Sequence, residues 1–425
     1  MTCATDTMLL AVLTIVNYFV GRRRILYPPL IYSFVWFADT ALFWFAPIQV
    51  NEVHSITWWV IALGALVFSI GGWMTSLVPR SIITTRVRAF SHPTASRLGR
   101  VLLLIICALA VPIMLHDVAQ RGAGTNGTVL EAARDSYVQS AEEGEAGNPL
   151  ISNLPLFSIC VTIICLIEGR DKLFWIALLL SLMCCILTTG RTFVLQLLSS
   201  VAAALMLERR KDNIKGLLTL AVIPFLLFVG LFVILVFVNK DVSDFQGDKG
   251  AIVENFVLAY VVVPLPALDY VLIHPSEYVH TINHTFGFLS RLLDLVGFRV
   301  EVPQGVDNRV FVPLPTNVYT VYKFFLTDFG LFGLFIPIVI IGFLQTMLYR
   351  RAVAGGKVSL LLCALLVFPA ILSIFDDQYG GSGLLFILKA AILSVAYFGV
   401  INRLRLGIRL PRFNLGVWPA RRRGI

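Results

Sequence analysis

Four arginines lie close to the ends of apolar runs or of interfacial segments: Arg191, Arg291, Arg299 and Arg309. Arg191 stands in the short polar break "TTGRT" between two apolar runs. A guanidinium group stays charged and binds phosphate through two parallel hydrogen bonds. Several converging arginines can also neutralise the charge that develops on a pyrophosphate leaving group. The four arginines therefore predict a pyrophosphate-binding site, the alternative for each being a pair with a nearby acid or a lipid headgroup.

Three residues near these arginines could remove a proton from a sugar hydroxyl: His284, Asp294 and Glu301. His284 falls on the same face of a short amphipathic segment as Arg291, and histidine titrates close to neutral pH. A histidine that only bonds backbone or water at the interface is the competing interpretation. The residue that acts as the base stays open among the three.

No metal or other cofactor is predicted. His280 and His284 are spaced as a zinc pair on a helix, and His274 and Glu277 precede them, but no stringent fourth ligand follows. The sequence also has no phosphate-binding glycine motif for a nucleotide and no Asp-x-Asp pair. Chemistry driven by ATP or a nucleotide sugar is therefore not expected, and the predicted enzyme is metal-independent.

Three further acidic residues are interpreted from their positions in the chain. Asp39 lies within a predicted span, where an ionised carboxylate costs on the order of 3 kcal/mol, so it should face a cavity or pair with a cation such as Lys389. It is predicted as a supporting residue of the site, the alternative being a side chain that snorkels to the interface or forms a structural pair. Asp376 and Asp377 precede "QYGGSG" and are interpreted as a solvated outer turn.

The composition shows which kind of protein must position these groups. Of 425 residues, 58% are hydrophobic and 14% charged, and apolar runs of membrane-spanning length recur throughout. We predict an all-α, polytopic membrane protein with about 11 transmembrane helices in a single domain, 1–425. The predicted spans are 3–20, 25–47, 57–78, 101–116, 150–167, 172–188, 192–207, 216–239, 329–349, 358–375 and 383–401.

The charges of the connecting segments predict the orientation in the membrane. One set of connections has 24 cations and four acids, and the other has nine cations and 20 acids. By the positive-inside rule the first set is cytoplasmic, so the N-terminus is expected outside and the C-terminus inside. The net charge of +9 therefore reports topology and gives no reason to expect nucleic acid as a partner.

Two outer loops are long: 117–149, which is acidic and glycine-rich, and 240–328. Within the second, 251–273 is apolar but contains Glu254, Asp269 and two prolines. A full span there would break the charge parity, so we predict interfacial or re-entrant helices in a long helical outer loop.

Two short motifs resemble those of a known family. "TTGRT" between two predicted spans, and "PTNVYTVYKFFLTDFGLFGLF", with its Asn-x-x-Thr followed by Asp-Phe-Gly-x-x-Gly, are similar to the O-antigen polymerases, the Wzy-type oligosaccharide repeat-unit polymerases of bacterial envelopes. The resemblance implies a C-type glycosyltransferase-like fold and transfer of a growing glycan from undecaprenyl pyrophosphate to a new lipid-linked repeat unit. It further implies the bacterial inner membrane, catalysis at the periplasmic face, membrane lipid as surroundings and a chain-length regulator as a further partner.

The resemblance also assigns residues. Arg191 corresponds to the arginine of the Gly-Arg turn and the loop arginines to phosphate-binding positions, with Asn317 and Asp328 of the second motif as supporting residues. The chain lacks the histidine that O-antigen ligases have shortly before their late Gly-x-x-Gly, which favours polymerase over ligase. It also lacks an arginine followed eleven residues later by glycine in the long loop. A flippase of lipid-linked oligosaccharide and a structural assembly partner are the alternatives from other classes.

Overall fold

The computed structural model describes part of the chain. The described residues are 2–45, 51–83, 93–122, 136, 149–188, 191–209, 262–274, 284–287, 289–290, 293, 297, 310–312, 315–316, 318–374 and 376–401.

The described structure is a bundle of helices with one two-stranded antiparallel ribbon. The helices are α1 (Cys3–Val20), α2 (Pro28–Phe45), α3 (Ser55–Met74), α4 (Arg80–Ile83), α5 (Pro93–Arg121), α6 (Pro149–Glu168), α7 (Lys172–Leu187), α8 (Arg191–Arg209), α9 (Pro264–Ile273), α10 (Val321–Gly333), α11 (Phe335–Val353), α12 (Lys357–Leu372) and α13 (Gly381–Val395), which a π-helical turn, Ala396–Ile401, extends. The ribbon pairs β1 (Val310–Phe311) with β2 (Pro315–Thr316).

The prediction of an all-α membrane protein is confirmed. Five stretches of the described residues are long and apolar enough to cross a membrane: Cys3–Val20, Ser55–Leu77, Arg97–Arg121, Ile151–Glu168 and Phe335–Val353. Each predicted span coincides with a described helix except 216–239, which lies outside the described residues. The total of eleven spans stays a prediction.

One predicted span begins later than the sequence indicated. The span 329–349 was expected to run through Gly330, but that residue has φ 72° and ψ 177°, which breaks the helix. Glycine adopts positive φ at little cost, so the chain turns there and α11 starts at Phe335.

The connections that the charge count grouped together meet at one end of the bundle. Ion pairs join Arg100 to Asp171 (3.0 Å), Arg170 to Glu208 (2.7 Å) and Lys357 to Glu168 (2.8 Å). We call this the basic end, defined by residues 75–83, 169–171 and 354–356. The opposite end, defined by residues 51–54, 284–287, 318–320, 373–374 and 376–380, is the loop end. Which end faces the cytoplasm stays a prediction.

Glycines bring α3 and α11 into backbone contact. A Cβ added at Gly71 would lie 2.2 Å from the carbonyl oxygen of Val339, and one at Gly342 would lie 2.2 Å from that of Phe68. Small residues let membrane helices approach closely, which replaces the hydrophobic driving force that apolar lipid does not supply. The crossing of α3 and α11 is thus fixed by two glycines, one on each helix.

A buried asparagine joins the first three helices. Asn17 of α1 donates from Nδ2 to Ser33 Oγ of α2 (3.1 Å) and to Ser69 Oγ of α3 (2.9 Å). Its Oδ1 accepts from Trp73 Nε1 at 3.0 Å. Hydrogen bonds between helices satisfy polar groups that the membrane cannot, so this network fixes the register of α1, α2 and α3.

Because α3 and α11 are in close contact, adding a single methyl group at Gly342 should destabilise the protein. Gly342→Ala places a Cβ against the Phe68 carbonyl, so the helices must separate, and we expect a loss of about 1–3 kcal/mol of stability. Thermal unfolding of the purified protein in detergent measures this loss.

Gly399→Ala is the matched control, because a Cβ there would lie 3.9 Å from Val395 Cγ1, an ordinary contact distance. Equal unfolding midpoints for Gly342→Ala and Gly399→Ala would show that the glycine crossing does not support the fold.

Candidate active site

Asp328 anchors the long loop to the bundle. Its Oδ1 accepts a hydrogen bond from the backbone N–H of His284 at 3.2 Å, and its Oδ2 accepts one from that of Thr285 at 2.6 Å. Asp328 is buried in α10, two residues before the break at Gly330. Charge-assisted hydrogen bonds to two successive N–H groups hold this segment of the loop in one orientation. Asp328, predicted from the sequence as a supporting residue, positions His284 and Thr285 through these two hydrogen bonds.

A turn between α12 and α13 closes on the same loop segment from the other side. The N–H of Gly381 donates to the carbonyl oxygen of Thr285 at 3.0 Å. A Cβ on Gly380 would lie 3.2 Å from Thr285 Cα and 2.5 Å from Asp377 Oδ2. Residues 284–285 are thus held between α10 and the 376–380 turn, with the Asp377 carboxyl beside them.

Asp377 is not the solvated residue that the sequence indicated. Its Oδ1 accepts from the backbone N–H groups of Tyr379 (2.9 Å) and Gly380 (3.0 Å), and its side chain is half-buried. Burial, helped by the negative charges of Asp376 and Asp328 and opposed by the two N–H bonds, raises the pKa of Asp377 to about 7. A carboxyl group with a pKa near neutral can both take up and release a proton under physiological conditions. The earlier interpretation of Asp377 as solvated is therefore wrong.

Asp376 has a different task in the same turn. Its Oδ1 accepts from the N–H of Asp377 at 2.8 Å, and its Oδ2 accepts from Gln378 Nε2. These bonds close the turn on itself, so Asp376 shapes the loop that presents Asp377.

A buried lysine, Lys323, shares an aromatic neighbour with His284. The Lys323 ammonium is 4.6 Å from the ring centre of Phe324 and 4.7 Å from that of Tyr319, and the His284 ring meets Phe324 edge to face at 5.6 Å. Aromatic faces stabilise a cation as it leaves water. Sequence reasoning missed Lys323, although a lone lysine in an apolar stretch at a helix start is a recognisable signal of a buried cation.

A third carboxylate ties α9 to the loop end. Asp269 Oδ1 accepts from the backbone N–H of His54 (2.8 Å) and from Thr57 Oγ1 (2.5 Å), and its Oδ2 contacts His54 Nδ1 at 2.8 Å. This hydrogen bond raises the pKa of the exposed His54 imidazole. Leu265 and Leu268 of α9 pack in the same apolar cluster as Trp58 of α3. The apolar stretch with Asp269 therefore folds onto the bundle, and whether it enters the membrane stays a prediction.

No family model, curated protein or solved structure matches this chain.

Part of the predicted site lies outside the described residues. Arg191 begins α8, but its side chain is not among those described. Six further predicted residues lie entirely outside the described residues: Arg291, Asp294, Arg299, Glu301, Arg309 and Asn317. The pyrophosphate-binding site of the four arginines thus stays a prediction.

Asp39 is described, and its predicted pair is not formed. It is 1% exposed, and both of its carboxylate oxygens lack a hydrogen-bond partner within the described part of the chain. Lys389, the suggested mate, donates instead to Asn153 Oδ1 at 2.8 Å. The interpretation of Lys389 as the partner of Asp39 is therefore wrong.

The raised pKa of Asp377 predicts a pH dependence of stability. The folded protein holds this proton more tightly than the unfolded chain, so Asp377 stabilises the fold fully below about pH 4 and loses that contribution as the pH rises to about 7. Asp377→Asn keeps an oxygen that accepts from Tyr379 and Gly380 but does not titrate. Its free energy of unfolding should rise relative to that of the wild-type protein between pH 4 and 7.5, by on the order of 1–3 kcal/mol, which the unfolding midpoints at each pH measure.

Asp117→Asn, which removes a carboxylate paired with Arg121 on α5, is the comparison variant for unrelated charge loss. A constant difference between Asp377→Asn and the wild-type protein across that pH range would contradict the raised pKa.

Proposed function

We propose that the chain is a polymerase of lipid-linked oligosaccharide repeat units, of O-antigen or a similar surface glycan. It would transfer the growing glycan from undecaprenyl pyrophosphate to a hydroxyl of a new lipid-linked unit, without a metal, at the loop end of the bundle. The observation that supports this most is the position of the Asp377 carboxyl, which lies against the backbone of the long loop at Thr285 and is held by the N–H groups of Tyr379 and Gly380. Burial raises its pKa to about 7, which suits a base.

In this mechanism Asp377 takes the proton of the acceptor hydroxyl, and the oxygen of that hydroxyl attacks the anomeric carbon of the donor sugar. The bond between that carbon and the phosphate oxygen breaks, and undecaprenyl pyrophosphate leaves with the bonding electrons. Lys323 supplies positive charge at the same end of the bundle, where Arg191 and the three loop arginines are predicted to converge on the phosphates. His284, held by Asp328 through its backbone, is the neighbouring group that suits onward transfer of the proton.

The proposed place is the periplasmic face of a bacterial inner membrane, with the N-terminus outside and the C-terminus cytoplasmic. The charge count supports this orientation, because the paired cations of the basic end belong to the connections predicted to be cytoplasmic. Donor and acceptor would be two lipid-linked glycans in the surrounding membrane, with a chain-length regulator as a further partner.

A transporter of lipid-linked oligosaccharide is the second candidate. Buried Asp6 in α1 and Asp39 in α2 favour it, since intramembrane carboxylates are common along transport pathways. An O-antigen ligase, which passes the glycan to a different acceptor, would share the donor chemistry.

The polymerase proposal is tested by glycan extension in liposomes that contain the purified protein and lipid-linked repeat units. Asp377→Asn should lower the extension rate by about 10²-fold or more, because it removes the base and preserves the turn. Asp376→Asn, the adjacent carboxylate in the same turn, should change the rate far less.

Equal extension rates for Asp377→Asn and the wild-type protein would show that Asp377 is not the base. Translocation of labelled lipid-linked glycan across the liposome membrane without any extension would replace the polymerase with the transporter. Transfer only to a lipid A-type acceptor would instead identify a ligase.

A further inference from the structure

One phenol ties the turn that presents Asp377 to the interior of the bundle. Tyr379 follows Asp377 by two residues, and its side chain is buried in the same apolar cluster as Phe68 of α3. Its hydroxyl group donates a hydrogen bond to Oε1 of Gln345 at 3.0 Å. Gln345 lies on α11 and is 1% exposed, so the turn is joined to a point that solvent does not reach.

Gln345 is itself held by a second helix. Its Nε2 donates a hydrogen bond to the carbonyl oxygen of Leu366 on α12, at 2.9 Å. The side-chain amide therefore accepts from Tyr379 at one atom and donates to α12 at the other, which restricts its rotation at both ends. A buried amide that uses its donor and its acceptor in this way gives the Tyr379 hydroxyl a fixed position against α11 and α12.

Tyr379 is also bonded to Asp377 through its backbone. Its N–H donates to Asp377 Oδ1 at 2.9 Å, and the N–H of Gly380 donates to the same oxygen at 3.0 Å. The other oxygen, Oδ2, lies close to the long loop, because a Cβ added at Gly380 would be 2.5 Å from Oδ2 and 3.2 Å from the Cα of Thr285. Oδ1 thus holds the turn, and the direction of Oδ2 follows from the position of the Tyr379 backbone.

We propose that Tyr379 is a positioning residue for Asp377. The hydrogen bond from its hydroxyl to Gln345 keeps its N–H on Oδ1, and this leaves Oδ2 directed at the acceptor hydroxyl. The inference rests on the proposed function, in which Asp377 is the base. Tyr379 needs no contact with the glycan, because its side chain is buried and bonded to α11. A misplacement of about 1 Å at a reacting group can cost about 10²-fold in rate, so a distant anchor of this kind has a measurable effect.

Tyr379→Phe tests this role, because it removes the hydroxyl and retains the ring and the backbone. The kcat of glycan extension in liposomes should fall about tenfold, with KM changed by less than about twofold, since the lost contact orients the base and does not bind substrate. Gln345→Met removes the acceptor and should lower kcat by a similar factor. The double variant should be no slower than the slower single variant, because both changes break the same bond.

Tyr27→Phe is the matched control. It removes the hydroxyl of another buried tyrosine, which packs against Tyr349 and is remote in the chain from the 376–380 turn. Its kcat and KM should equal those of the wild-type protein.

The pH dependence separates positioning from a general loosening of the fold. The titratable groups that act on the Asp377 carboxyl in the described structure are Asp376, Asp328 and the phenols of Tyr32 and Tyr379, and Tyr379→Phe leaves both carboxylates in place. Weaker N–H bonds to Oδ1 raise the pKa of Asp377 further, so the acid limb of the kcat profile should move to higher pH in Tyr379→Phe.

A second measurement needs no glycan. The difference in free energy of unfolding that Asp377→Asn produces is measured against pH, once in the wild-type protein and once in Tyr379→Phe. Because the folded carboxyl holds its proton to a higher pH in Tyr379→Phe, that difference should continue to change to a higher pH there. Tyr379→Phe deletes a single oxygen atom, so this comparison remains decisive even if Gln345→Met fails to fold.

The outcomes separate this inference from the proposed function. Wild-type extension by Asp377→Asn would refute the proposed function. A slow Asp377→Asn together with a wild-type kcat for Tyr379→Phe would overturn the positioning role alone. A lowered kcat with an unmoved acid limb and an unchanged pH dependence of unfolding would also overturn it, as would additive losses in the double variant, because Tyr379 would then only support the fold.

Discussion

Backbone N–H groups at the loop end that leave water on folding must find acceptors, and carboxylates supply them. Asp269 accepts from the start of α3, Asp328 accepts from residues 284–285, and Asp377 accepts from the residues that precede α13. An unpaired backbone group in such a place costs about 1–3 kcal/mol, so each carboxylate fixes the segment whose N–H groups it receives. The long loop is thereby joined to the bundle at two points, and the candidate active site depends on both.

The same residue type has three distinct roles at this end of the bundle. Asp269 and Asp328 hold segments in place. Asp377 also accepts two N–H groups, but burial and the nearby carboxylates keep its pKa near 7, which leaves it able to exchange a proton. Asp6 and Asp39 are buried, and their carboxylate oxygens accept no hydrogen bond within the described residues. Their surroundings, and not the residue type, determine which role each carboxylate has.

Much of the scaffold followed from the sequence, because hydropathy and the positive-inside rule act on composition alone. They placed the spans and grouped the connections that pair at the basic end. The break at Gly330 was missed, since a hydropathy pattern contains no backbone angle. Asp377 was misjudged because its environment comes from residues 284–285, far away in the chain. Asp39 was recognised as unusual, but the sequence could not show that Lys389 bonds Asn153 instead.

The proposed function requires that lipid pyrophosphate binds at the loop end, beside Asp377 and Lys323. A photoreactive analogue of a lipid pyrophosphate-linked sugar, with the reactive group next to the phosphates, tests this directly when cross-linked peptides are mapped by mass spectrometry. The account predicts adducts within 284–287, 318–323 and 376–380, and competition by unlabelled lipid-linked repeat units. Adducts confined to the basic end, within 75–83 or 354–356, would contradict it.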